Sequence, residues 1–345
     1  MLAVAVTIVS GCSATIPGTA GPNTAPSPVT AFGIPVTAAD KGTFDMLDQV
    51  RSVDPCGFVD RERFAASGVI SALGPSTQID ECAVRFTPNG ERNPSLIYID
   101  LDHNPPQSAE PTRQIAGETV VATGPNSYGN CAFKVPLRFP ATTPGAGQPD
   151  VVEIPTLAYG AVSSSGFESS ELGCSLAEEV VAEIVEAFRS DKIPRRSAAA
   201  TPVSDIELMR HNPCEIVAVL PLQVRLTLLN AEFDPTRCSF MVAGQRDRAE
   251  AVSVTLDLTR RPLQPFGAAN HLIDVEGVPV LIYRDETIPP PTCVETFATG
   301  RELDPSIGGE DISGARVQPT VRISGLCSIT EQLRPVAMKL FGATA

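Results

Sequence analysis

The chain has no Trp, four Tyr, three His, and only four Lys beside 22 Arg. Basic residues are scarce overall: 26 Lys and Arg face 40 Asp and Glu, a net charge of −14. Such a chain is repelled by phosphate backbones, which excludes nucleic acid as a partner. His103, His211 and His271 share no local motif, so metal ligation or a Ser-His or Cys-His pair requires a tertiary coincidence. No two cysteines stand within three residues of each other, which argues against a zinc clip and a redox dithiol alike. Nucleophile elbow, Walker loop, dinucleotide fingerprint and His-Glu-x-x-His are all missing. No catalytic residue, metal or cofactor is therefore assigned. Asp100-Leu101-Asp102-His103 has the look of a metal-binding Asp-x-Asp, but Thr255 and Asp257 hold the matching places further on. Polar alternates of a half-buried strand account for both. Gly308-Gly309-Glu310-Asp311 reads as a loop tip, since no apolar helix follows it.

What is present is more informative. The composition is 43% hydrophobic and 19% charged, that of a globular chain, and 345 residues favour two domains over one. Nine Cys point to an oxidising compartment. The start, Leu2 to Val9, is apolar but far too short for the roughly 20 residues of a membrane span. It ends in Val9-Ser10-Gly11-Cys12, which resembles a bacterial lipobox. In such a sequence the cysteine is acylated and becomes the new N-terminus. A secretion signal ordinarily opens with basic residues, and none precedes Lys41, so the signal begins upstream or the start lies elsewhere. The expected division is a signal and lipobox over 1–12, with Cys12 as lipid attachment. A disordered Pro/Thr/Ala-rich tether follows over 13–45, then a first domain over 46–190, a linker over 191–203 and a second domain over 204–345.

The two domains read as repeats. Without Cys12 the cysteines form two sets, Cys56, Cys82, Cys131 and Cys174, then Cys214, Cys238, Cys293 and Cys327. Asp54-Pro55-Cys56 opens one half and Asn212-Pro213-Cys214 the other, each followed by a segment of helical appearance. Ile97, Ile99 and Leu101 alternate as Val252, Val254 and Leu256 do, the pattern of a strand with one buried face. Gly117 and Gly277 precede the third cysteine of their sets. Cys174 and Cys327 each begin a closing helix. In the first, Leu176, Val180, Ile184 and Phe188 form an apolar stripe with Val181 and Val185, while Glu178, Glu179, Glu183 and Glu186 face water. In the second, Pro335 predicts a kink or a new start. The expected fold is α+β: two tandem repeats, each a mainly antiparallel sheet of four or five strands with flanking N- and C-terminal helices.

Confining bonds to each half leaves nine cystine pairings. Sequential pairs are favoured, Cys56 with Cys82, Cys131 with Cys174, Cys214 with Cys238 and Cys293 with Cys327. The first cysteine of each half starts a helix close to the strand that carries the second, and the closing helix covers the strand of the third.

With its lipobox, its tether, Asp54-Pro55-Cys56 and its paired cysteines, the chain resembles the cell-envelope lipoproteins of actinomycetes whose domain opens with Asp-Pro-Cys, here in tandem. It is more distantly similar to the extracellular sensor domains of mycobacterial Ser/Thr kinases. The resemblance implies a membrane partner through the lipid anchor and an extracytoplasmic location; the duplication, the tether and the missing catalytic motifs lead to a binding, sensing or scaffold role without catalysis, toward an envelope protein or a small or lipid ligand. A carrier of an apolar molecule between the domains is the first alternative. An envelope hydrolase drawing on Asp102, His103 and an acid of the second half is the other.

Overall fold

The computed structural model describes residues 29–75, 78–101, 110–139, 157–196, 206–232, 234–244, 248–260, 263–265, 267, 269–287, 289–303 and 316–343. It is α+β, with two antiparallel sheets of seven strands each. The first half opens with a hairpin of β1 (Val29–Ala31) and β2 (Ile34–Val36), followed by α1 (Ala38–Arg51) and α2 (Arg61–Ser67). Its sheet comprises β3 (Gly68–Gly74), β4 (Glu81–Pro88), β5 (Ser95–Asp100), β6 (Thr112–Ile115), β7 (Glu118–Thr123), β8 (Ala132–Arg138) and β9 (Leu157–Ser165), and α3 (Ser170–Arg189) closes the half. The second contains β10 (Leu226–Asn230), β11 (Arg237–Ala243), β12 (Ala249–Arg260), β13 (Asn270–Val275), β14 (Val278–Asp285), β15 (Thr292–Ala298), β16 (Val317–Leu326) and α4 (Cys327–Leu340).

Strand order is β3-β4-β5-β9-β8-β7-β6 in one sheet and β10-β11-β12-β16-β15-β14-β13 in the other. Numbered from the first strand of each, the two orders are the same. Each sheet is wrapped on one face. Helix α3 packs on β8 and β9, α4 on β15 and β16, and the covered side chains of β5 and β12 are Ile97, Ile99, Val252, Val254 and Leu256, all buried. Seven strands stand where alternation reveals four or five, because the outer ones carry little of it. Strands β3 and β10 lie at sheet edges and each has an irregular register. The edge strand β6 reads Thr-Arg-Gln-Ile and is mostly exposed. Bulges and polar side chains are how sheet edges avoid pairing with other chains.

Tight turns explain the glycines. Ala116-Gly117 and Glu276-Gly277 connect β6 to β7 and β13 to β14 with φ of 49° and 80°, and of 55° and 87°. Positive φ at both central residues is the hairpin turn whose twist suits the strands. The pair Phe32-Gly33 turns β1 into β2 in the same way.

Other sequence expectations are refined. The described residues begin at Val29, and the part of the stretch read as tether that they cover, to residue 45, includes a hairpin and most of α1. Thr37 caps that helix by accepting from the Asp40 N–H at 3.0 Å. The segments after Asp54-Pro55 and Asn212-Pro213 are helical, of the 3-10 type, over Pro55–Phe58 and Pro213–Val219. Finally, α4 does not begin anew at Pro335 but runs through it as one element. The lipobox with Cys12, the tether before Val29, Asp102 with His103, and the 308–311 loop lie outside the described residues.

Candidate functional site

The Asx-Pro-Cys motif can be built from its atoms. Asp54 and Asn212 are N-caps, their side-chain oxygens accepting from the N–H of Cys56 at 3.0 Å and of Cys214 at 2.9 Å. Proline follows at the first helical position, where its missing N–H costs nothing. The short turn then aims each cysteine at the strand beside it. The four disulfides are Cys56–Cys82, Cys131–Cys174, Cys214–Cys238 and Cys293–Cys327.

These caps sit at a seam where the halves meet. Helix α1 is shared: Met46, Leu47 and Val50 belong to the core of the first half, whereas Phe44, with Ala31 of β1, packs into that of the second. Phe32 meets Phe44 edge-to-face at 5.3 Å. From the far end of α1, the buried Arg51 donates to the Pro235 carbonyl at 2.8 Å while pairing with Asp48. Asp48 also accepts from Asn212 Nδ2 at 2.9 Å. A second guanidinium, that of Arg196, donates to the carbonyls of Val53 at 3.0 Å and Ile79 at 3.1 Å. Ile79 and Pro235 each stand three residues before the second cysteine of their half. The seam thus puts an arginine on the same carbonyl of each half.

Its electrostatics are unbalanced. Burial pushes the carboxyl of Asp80 up to about 7; Asp234 and Glu81 push the same way, while its backbone hydrogen bond and Arg196 oppose them. Burial also lowers Arg51 and Arg196, against nearby acids that hold them charged. Asp54 is fully buried, and its Oδ2 lacks a hydrogen-bond partner among the described residues. Asp257 is raised by burial despite its ion pair with Arg322.

Among the described residues, His211, His271 and Asp100 are not drawn together. His211 lies 2.9 Å from Glu215 and edge-on to Phe341 at 5.6 Å, a wedge between the Pro213–Val219 turn and the end of α4. His271 is exposed on the edge strand β13, and Asp100 ends β5 opposite Glu81. No cluster of three His, Cys, Asp or Glu able to hold a metal occurs among the described residues. The acidic face of α3 is partly neutralised, Glu183 by Arg63 at 3.4 Å and Glu178 by Arg113 at 2.9 Å.

Sequence reasoning missed Arg51, Asp80 and Arg196. Arg195-Arg196 reads as linker, yet Ile193 is buried and Arg195 bridges to Val53. It also missed Glu295, fully buried on β15, which accepts from Thr330 at 2.8 Å and from Arg334 at 2.5 and 3.0 Å. Period two along Cys293, Glu295 and Phe297 was the available signal. Family models, characterised proteins and solved structures yield no match to this chain.

Four disulfides are consistent with an oxidising, extracytoplasmic setting. No helix among the described residues is long and apolar enough to cross a membrane.

Proposed function

We propose that this protein is an extracytoplasmic lipoprotein, held to the outer face of the cell membrane by acylated Cys12, and that its two duplicated α+β domains form a ligand-binding or sensing module without a catalytic task. The observation that carries this reading is the pairing of two equally ordered, disulfide-braced sheets across one buried seam. The matching caps, turns and cystines support duplication, with domains near 29–196 and 206–343. The seam couples them: a ligand that contacts both halves would read or set their relation through Asp48, Arg51, Asp80 and Arg196.

Thermal denaturation of the oxidised ectodomain tests the proposal, with lipid, glycan and peptide fractions of its own envelope added in turn. A ligand that binds the folded form raises the melting temperature in proportion to ln(1 + [L]/Kd). A shift with the lipid fraction alone would favour a carrier. Turnover of any fraction, abolished by one substitution, would contradict the proposal and favour a hydrolase.

A further inference from the structure

Away from the seam, a concavity of ≈ 450 Å³ opens beside the first turns of α3, lined among others by Arg113, Pro125, Ser170, Glu171, Ser175 and Glu178. That volume is within the range of small-ligand sites, about 300–1,000 Å³. Next to it the 124–130 loop holds out Tyr128, which is 83% exposed. Asn126 Oδ1 accepts from the N–H of Tyr128 at 2.9 Å and of Asn130 at 3.1 Å, and the Asn126 and Gly129 N–H groups close two further bonds across the loop. Gly129 has φ +76°, and a Cβ there would come within 3.0 Å of Ser170. The loop is therefore seated against α3, and the Cys131–Cys174 bond fastens its end to that helix. An aromatic ring kept in water by a braced loop is ready to meet a ligand face with little ordering cost.

The wall chemistry narrows the ligand. Arg113 and Glu178 lie 2.9 Å apart, both partly exposed, and so offer adjacent donors and acceptors that a vicinal diol can bridge. Ser170 and Ser175 add hydroxyls that donate or accept. Two carboxylates against one guanidinium, on a chain of net charge −14, disfavour an anion. We infer that this concavity binds a neutral glycan, with one sugar ring stacked on Tyr128 and its hydroxyls on the Arg113–Glu178 pair. The inference rests on the binding role proposed above and supplies its ligand class. The second half lacks the ring: Pro290, Pro291 and Thr292 precede Cys293 where Tyr128, Gly129 and Asn130 precede Cys131. Its loop has no such task.

Calorimetric titration of the oxidised ectodomain with neutral hexasaccharides of glucose, mannose and galactose, and with a polyuronate of similar length, tests the site. At least one neutral glycan is expected to bind, with affinity falling about tenfold or more, some 1.4 kcal/mol, in Tyr128→Ala and retained in Tyr128→Phe. Arg113→Ala should weaken the same glycan without changing the melting temperature by more than a degree or so, as suits an exposed side chain. Binding unaffected by Tyr128→Ala, preference for the polyuronate, or no binding by the panel would overturn the glycan assignment. A melting shift with the lipid or peptide fraction in that last case would leave the binding role standing, which separates the two failures.

Discussion

Asp80 shows how a single residue ties folding to pH. Its carboxyl ordinarily titrates near 3.8 and in the folded chain near 7, with burial the main cause and Asp234 and Glu81 adding to it against Arg196. The folded state therefore holds a proton that the unfolded chain gives up. The stability contributed is complete below about pH 4 and is lost as pH rises through 7. Asp80→Asn should consequently melt several degrees above the parent at pH 8 and level with it at pH 4, since a kcal/mol is worth about 2–4 °C in a domain of this size. Equal melting temperatures at pH 8 would show that Asp80 carries no such cost. Glu295 offers a second test. Counted from the shared cysteines, Phe133, Ala177 and Val181 of the first half match Glu295, Thr330 and Arg334 of the second. Arg334→Met strands a buried carboxylate and should cost about 3–5 kcal/mol. Glu295→Phe, Thr330→Ala and Arg334→Val combined should recover most of it, read by urea denaturation. A triple variant no more stable than Arg334→Met would contradict the apolar equivalence of the two cores.

At the level of elements, legibility followed periodicity. The stripe Leu176, Val180 and Ile184 identified α3, and alternation identified β5 and β12, because one face of each is buried and the other is not. The sequential cystines were legible too, since short loops restrict which cysteines meet. The β1–β2 hairpin was not, as its strands are three residues long and embedded in Pro/Thr/Ala-rich sequence. What orders it is tertiary: Ala31, Phe32 and Phe44 find the core of the other half. The seam was illegible for the same reason, because Arg51, Asp80 and Arg196 acquire meaning only when distant segments meet. If the hairpin and α1 join the halves, Phe44→Ala should cost about 3–5 kcal/mol and split one calorimetric transition into two. A single transition, merely shifted, would mean that the halves stay coupled without it.

Across the whole molecule, the two halves share a strand order, the placing of their cystines and an arginine on corresponding carbonyls, while their surfaces differ. The second half buries an ion pair where the first is apolar, and the first holds Tyr128 on a loop whose Pro125 lines the concavity beside α3. Shared cores with different surfaces suit a division of labour in which one half binds and the other supports. The most direct test is native mass spectrometry of the protein extracted, oxidised, from its own envelope. The account predicts a chain with an acylated Cys12 at the N-terminus, four internal disulfides and a bound mass that denaturation releases. A chain without lipid and without any releasable ligand would contradict it.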